Sequence, residues 1–484
     1  MKASTLIARQ ARMNSDRPAR AAGRGRAAAT TAVALVAACA MAAAGCESSA
    51  PKPAPRAAPP ASTASFPDTS VGRQAHWLLG VVAHPPVPVP AIKAHFDSTF
   101  LAQVPASRLN STFAVVRGLR LDSITKSTPG TLAFVVTANH GLRLAVTMVI
   151  DTHGLISGLL LRPAGAPAAP AVPATWSGVD GMIHSVAPQV HFLVAAVNGS
   201  ACRPVHAVGA TTQAPLGSAF KLYVLDALAR AVAAGKVTWN QPLTVTSQVK
   251  SLPSGVLQND RDGTRVSVQQ VAAGMISISD NTAANMLIAL LGRHAVEAAA
   301  RASGMADPAP DVPFLTTREL FVLKLHDWPK LAQRYLAHDT AGRQAMLSST
   351  VDRVPLSALS ATGWTEPRDI GSVEWFASPT DICHVFASLA ALARQPKLAP
   401  LAGILERNDG GMNLDPSRWR PVWFKGGSEP GVLTLSYLAT TRTGQAYVAS
   451  VMAANPAAPL AQDSAVLTLI SAVKGALQLA AGRA

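Results

Sequence analysis

The chain has 484 residues, 49% of them hydrophobic and 14% charged, with four cysteines. That length and apolar content exclude a disordered chain, a coiled coil and a small disulfide-stapled fold, and allow two or three domains with sizeable cores. The formal charge of +15 is concentrated at the start: residues 1–45 hold seven Lys and Arg against the single Asp16, and the remainder carries 35 basic and 26 acidic residues, a net of +9. With four tyrosines and no basic stretch interleaved with aromatics, the composition argues against nucleic acid as a partner. It suits either an anionic envelope surface or a solvated basic face.

In chain order, Lys2, Arg9, Arg12, Arg17, Arg20, Arg24 and Arg26 precede an apolar stretch from Ala27 to Ala44, interrupted by Thr30 and Thr31. A basic region followed by an apolar one is the pattern of an export signal, here residues 1–45. The stretch ends in Ala43-Ala44-Gly45-Cys46, which resembles the lipobox of bacterial lipoproteins. That resemblance implies lipidation at Cys46 and an extracytoplasmic protein tied to the cell membrane by its lipid. An uncleaved transmembrane anchor is the other reading, although 18 mostly alanine residues make a weak span. Residues 46–70, with Pro51, Pro53, Pro55, Pro59, Pro60 and Pro67 among Ala and Ser, read as a stiff tether.

Cys39 falls within the signal, leaving Cys202 and Cys383 beyond the lipid site. An oxidising compartment leaves both one disulfide and two separate buried thiols open for them. No cluster of His, Cys and carboxylates has metal-ligand spacing, so neither a metal nor a cofactor is implied.

The run Pro163 to Pro173, with Pro167 and Pro170 between, is neither helix nor central strand. With its flank it makes a linker over 163–177, dividing a small α+β domain at 71–162 from a larger α+β domain at 178–484. The small domain opens with the apolar pattern Val71, Ala75, Leu78, Leu79, crosses a Pro-rich turn at Pro85 to Pro90, and continues through a helical stretch from Ile92 to Leu101. Three strand-like runs follow, Leu132–Asn139, Leu142–Asp151 and Leu155–Leu161, separated by Asn139-His140-Gly141 and Asp151 to Gly154.

In the larger domain, runs from Val190 to Val197 and Cys202 to Val208 flank Asn198-Gly199-Ser200 and read as a hairpin. Phe220, Val224, Leu225, Leu228 and Val232 put one apolar stripe on a helix. Two further strands, Val432–Ala439 and Ala446–Ala453, precede a last helix from Asp463 to Leu479. Strands at both ends of the domain predict one antiparallel sheet packed against a helical lobe.

Ser218-Ala219-Phe220-Lys221 stands at the start of the first helix of that domain. Three residues are nearly one turn, so the hydroxyl and the amine share a face. A serine needs a neighbour to take its proton, and a lysine serves when burial and a second cation depress its pKa. Ser-x-x-Lys alone is a weak pattern. It is joined by Ser279-Asp280-Asn281, 61 residues further on, and by Lys425-Gly426-Gly427-Ser428 ahead of the strand at Val432.

Together these resemble the Ser-x-x-Lys, Ser-Asp-Asn and Lys-Thr-Gly set of class A β-lactamases and penicillin-binding proteins, in the same order. The text from Met275 to Leu287 is similar to that family almost throughout. The resemblance implies that Ser218 forms the acyl-enzyme, Lys221 activates it and Ser279 passes a proton to the leaving nitrogen. It further implies that Asn281 holds the substrate amide and Lys221, that Lys425 meets a substrate carboxylate beside Gly427, and that backbone N–H groups of Ser218 and Ser428 form the oxyanion hole. Asp280 reads as structural, a local acceptor for backbone N–H groups.

Two departures qualify the resemblance. Gly426 stands where the family has Thr. The Glu-x-x-Leu-Asn loop that activates the deacylating water is missing, and the stretch from Met305 to Arg318 carries only Asp307 and Asp311, which read as solvated loop acids. β-Lactam binding with a long-lived acyl-enzyme is therefore expected, while esters or peptides turn over. A segment of about forty residues ahead of Lys425, including the helical run Ser378–Leu392, is expected to roof one side of the cleft, and Glu374 ahead of that run reads either as a carboxylate contributed to the site or as a capping or surface residue.

The two-domain order also resembles actinobacterial exported serine hydrolases in which a cone-shaped, ketosteroid-isomerase-like domain precedes a β-lactamase-like domain, one of them from clavam biosynthesis. The carrying text is Trp77 to Pro90, Phe100 to Pro105 and Phe424 to Leu435. In that set Gly at the third motif is ordinary. The first domain shows no acid-base constellation and reads as a binding or spacing module.

The expected activity is that of a membrane-tethered serine hydrolase acting on an amide or ester, with a small molecule or peptidoglycan fragment as substrate. A D-alanyl-D-alanine carboxypeptidase and a non-catalytic envelope-binding lipoprotein are the rivals.

Overall fold

The structure, a computed structural model, describes residues 65–482 apart from Pro105 and 166–168. The residues read as an export signal, Cys46 read as the lipidation site and nearly all of the residues read as a tether lie outside the described residues.

Four helices come first: Ser70–Val82, Val89–His95, Ser98–Gln103 and Ala106–Val115. Thr69 caps the first by accepting from the Gly72 N–H, and Val71, Ala75, Leu78 and Val82 bury one stripe. The strands β1 (Arg120–Ser127), β2 (Thr131–Thr137), β3 (Arg143–Ile150) and β4 (Ile156–Pro163) follow as an antiparallel meander in chain order. Leu132, Phe134 and Val136 alternate inward along β2 and join Phe96, Phe100, Phe113, Met148 and Ile156 in one core. The sequence reading missed β1. It is a polar edge strand with two register shifts against β2, so it lacks the alternation that marked the other three.

The larger region is built on β5 (Gln189–Asn198), β6 (Ala201–Val208), the short β7 (Ala214–Pro215), β8 (Pro242–Thr244), β9 (Arg265–Ser267) and β10 (Phe376–Ala377), then β11 (Trp423–Glu429), β12 (Val432–Thr440) and β13 (Ala446–Ala454). Five of them form an antiparallel sheet in the order β11-β12-β13-β5-β6, so strands from the two ends of the region meet where β13 pairs with β5. Both faces are covered. Phe192 and Val194 of β5 pack with Leu435, Tyr437 and Val451 against Val179, Ile183, Leu469 and Val473 of the helices Trp176–His184 and Gln462–Ala480. Leu193 and Ala195 face the helical lobe.

At the centre of that lobe the helix Lys221–Ala233 buries all but three of its residues and packs on Arg293–Ser303, Pro379–Leu392 and Asn281–Leu291. The helix Pro379–Leu392 is a core element and not a roof over the cleft: Ile382, Val385, Phe386 and Leu389 are fully buried against β5, β13 and the central helix. Its Cys383 is disulfide-bonded to Cys202 of β6, which ties the exposed edge strand to the lobe and decides between the two readings of these cysteines.

Candidate active site

The nucleophile candidate sits in a turn gripped from two sides. β7 pairs with β10, and the Leu216 N–H donates to the Trp375 carbonyl at 2.8 Å. Gly217 then takes φ +49°, a conformation that favours glycine, and a short helical turn over Gly217–Phe220 carries Ser218 into the helix Lys221–Ala233. Ser218 is half-buried and Lys221 is fully buried one turn later. Trp375 stacks on Phe220 with ring centroids 3.7 Å apart and donates its Nε1–H to the Leu315 carbonyl, packing the floor of the turn.

Lys221 Nζ is the hub. It lies 3.0 Å from Ser218 Oγ, 3.1 Å from Ser279 Oγ, 2.6 Å from the Ser279 carbonyl oxygen and 2.6 Å from Asn281 Oδ1. Burial holds its pKa well below the ordinary amine value. The nearby Lys425 charge adds to the depression, and Asp280 opposes it.

The loop bearing Ser279 is shaped by its neighbours. Ser279 itself has φ +57°, an uncommon conformation for a residue with a side chain. Asp280 holds the loop by accepting three backbone N–H bonds, from Val256 at 2.7 Å, Leu257 at 3.0 Å and Ala283 at 2.8 Å, the last capping the helix Asn281–Leu291. That agrees with a structural role for Asp280. Asn281 Nδ2 donates to the Leu252 carbonyl, so its amide is fixed with the oxygen toward Lys221.

β11 closes the other side. Lys425 Nζ is 3.0 Å from Ser279 Oγ, so Ser279 stands between two amines, and burial lowers the Lys425 pKa to about 7. Gly427 runs against the nucleophile turn: a Cβ there would sit 2.0 Å from the Leu216 carbonyl oxygen and 2.5 Å from the Ser218 nitrogen. A Cβ on Gly217 would in turn sit 2.8 Å from the Ser428 nitrogen. The Ser218 and Ser428 N–H groups are thus brought together by backbone contact that only glycine permits. Gly426 has its own reason, since a side chain there would meet the Phe424 ring at 2.8 Å and the Thr434 carbonyl oxygen at 3.2 Å.

Ser218, Lys221, Ser279, Asn281, Lys425, Gly427 and Ser428 therefore gather in one place. Cys46 lies outside the described residues. Asp311 is not a solvated loop acid: it is buried, its Oδ1 accepts from the Phe376 N–H at 2.8 Å, its Oδ2 has no hydrogen-bond partner, and burial pushes its pKa well up. Glu374 is likewise buried rather than capping or superficial, 3.4 Å from the ammonium of Lys324. Lys324 also pairs with Glu429, the residue after Ser428. Sequence reasoning missed Lys324 and Glu429. The available signal was a carboxylate closing the third motif and a lysine within the apolar run Leu320 to Leu325.

The chain matches the model of the beta-lactamase enzyme family over residues 190–474, and that of the ORF 12 gene product N-terminal domain over residues 66–156. No curated protein matches it. Similar solved structures include a beta-lactamase from Sphaerobacter thermophilus, 21% identical over 63% of this chain and 98% of that one with a TM-score of 0.45. PBP-A is 21% identical over 63% and 97% with a TM-score of 0.38. An ancestral class A beta-lactamase is 17% identical over 63% and 98% with a TM-score of 0.44.

Proposed function

We propose, on the premise that the chain belongs to the beta-lactamase enzyme family, that it is a serine hydrolase forming an acyl-enzyme on Ser218 with an amide or ester. The observation that carries this reading is the burial of Lys221 Nζ among the oxygens of Ser218, Ser279 and Asn281.

A buried amine with a depressed pKa is neutral for part of the time at working pH, and its lone pair then accepts the Ser218 hydroxyl proton as Oγ attacks the carbonyl carbon. The oxyanion that forms is met by the N–H groups of Ser218 and Ser428, each worth about 3 kcal/mol in such sites. As the C–N or C–O bond breaks, the proton on Lys221 passes to Ser279 Oγ, whose own proton goes to the leaving group. Asn281 holds Lys221 and a substrate amide, and the Lys425 cation attracts a substrate carboxylate beside Gly427.

Deacylation needs a second activated nucleophile. Asp311, the one buried acid of the Met305–Arg318 stretch, has its Oδ1 committed to the Phe376 N–H behind the turn. A β-lactam should therefore leave a long-lived adduct, whereas an ester or peptide leaving group departs and frees the approach of water. The natural substrate class is an amide or ester of the cell envelope, a peptidoglycan fragment being one, reached from a membrane tether lipidated at Cys46.

Labelling with a fluorescent penicillin tests this. The wild type should be marked and Ser218→Ala should not. An unmarked wild type that also turns over neither nitrocefin nor p-nitrophenyl acetate would remove the hydrolase reading and favour the binding lipoprotein.

A further inference from the structure

The two N–H groups assigned to the oxyanion hole belong to different segments, and a single buried ammonium bridges the chain on both sides of the turn between them. Glu429 directly follows Ser428, and Glu374 directly precedes Trp375, whose carbonyl accepts the Leu216 N–H. Both carboxylates reach Lys324: Glu429 Oε1 is a hydrogen-bond partner of Lys324 Nζ, and Glu374 Oε2 lies 3.4 Å from it. The side chains are 0%, 1% and 7% exposed for Lys324, Glu374 and Glu429.

Other contacts fix the bridge on each side. The Trp375 N–H donates to Glu374 Oε1 at 3.2 Å, Gln462 Nε2 to the Glu429 carbonyl at 3.3 Å, and Arg368 Nη1 to the Lys324 carbonyl at 2.8 Å. Lys324 also lies 5.8 Å from the Trp364 ring centroid.

We propose that Lys324 is a positioning residue that sets the spacing of the Ser218 and Ser428 N–H donors by drawing Glu374 and Glu429 together across the nucleophile turn. The proposal rests on the reading of Ser218 as the acyl-forming residue. A buried cation held by one carboxylate suffices for neutrality, and here there are two. Burial, with the Glu374 charge adding and Lys324 opposing, raises the Glu429 pKa to about 8. The two carboxyl groups and the ammonium form one buried network. Such a network tolerates burial while being costly to break from one side. Glu374 and Glu429 are both engaged by Lys324, which fits a role in spacing and not in proton transfer.

The test uses the full chain with Lys324→Met and Lys324→Arg. Acylation by fluorescent penicillin is resolved into a non-covalent binding constant and a rate constant, alongside amide hydrogen exchange at Leu216–Ser218 and Gly427–Ser428. Displacing one donor by about 1 Å lowers the acylation rate constant about 100-fold, while non-covalent binding changes by less than about threefold. Exchange at those amides rises about tenfold and the helix Ser70–Val82 is unaffected. Lys324→Arg restores most of the rate.

A folded Lys324→Met with wild-type rate and protection overturns the proposal, as does a proportional fall of binding and rate that tracks lost thermal stability. If Lys324→Met does not fold, Glu374→Gln removes one arm of the bridge and is read the same way. A wild type that penicillin never acylates refutes the Ser218 reading instead, and the exchange measurement still decides the spacing.

Discussion

Replacing Lys425 by Met should change stability in a pH-dependent way, the wild type gaining on the variant as pH rises. The buried Lys425 amine has a pKa of about 7 against an ordinary value of 10.5. Between those values the folded protein binds fewer protons than the unfolded chain, so this group makes stability rise with pH; the penalty is largest at and below pH 7 and is gone above pH 10.5. Relative to a neutral amine, the penalty works out at about 4 kcal/mol at pH 7 and about 2 kcal/mol at pH 9. Lys425→Met keeps the stem and removes the titration. It forfeits the contacts with Ser279 Oγ and the Gly426 carbonyl, a loss that does not vary with pH and cancels in the comparison. Lys221 reinforces the trend, because its own pKa is depressed in part by Lys425 and recovers in the variant. Urea unfolding with the disulfide intact, read by tryptophan emission, is a suitable assay, since seven of the eight tryptophans lie after residue 175. The wild type should gain about 2 kcal/mol on Lys425→Met between pH 7 and pH 9. A difference that stays flat over that range would refute the reasoning that Lys425 is a desolvated, half-charged amine.

Other perturbations have equally definite outcomes. Asp280→Ala leaves the N–H groups of Val256, Leu257 and Ala283 without their acceptor, so stability should fall by about 3 kcal/mol and penicillin labelling should slow as the strained Ser279 turn relaxes. Gly427→Ala drives a Cβ to 2.0 Å from the Leu216 carbonyl oxygen. Because that neighbour is backbone, labelling should drop by about 100-fold or more even where circular dichroism shows a folded protein. Cys202→Ala opens a disulfide spanning 181 residues, and the unfolding midpoint should fall by the equivalent of about 4 kcal/mol, with the unreduced and reduced wild type differing by a similar amount.

How much of this was legible in the sequence depended on the kind of signal each part carries. The β5–β6 hairpin, the Phe220–Val232 stripe and the closing strands announce themselves by periodicity, and the sheet follows from their placement at both ends of the region. β1 does not, because a polar edge strand such as Arg120–Ser127 buries no alternating face. Ser218, Lys221, Ser279, Asn281 and Lys425 were visible as motifs, since short spacings along a helix or turn fix their geometry.

Residues whose meaning depends on distant partners were not. Asp311 reads as a loop acid until Phe376, 65 positions away, is found donating to it. Lys324, Glu374 and Glu429 are brought together over separations of 50 and 105 residues, which no local pattern reports. The helix Pro379–Leu392 illustrates the opposite error. Its apolar run marks burial correctly, but whether a buried helix lies under a sheet or over a cleft is decided by the tertiary packing and by the Cys202–Cys383 tie.

The most direct measurement is the intact mass of the protein followed over hours after exposure to penicillin G. One adduct of the added penicillin mass should map to Ser218, persist far longer than it takes to form, and be absent in Ser218→Ala. No adduct on a folded wild type, or an adduct that survives in Ser218→Ala, would contradict the assignment of Ser218 and Lys221 as the acylating pair.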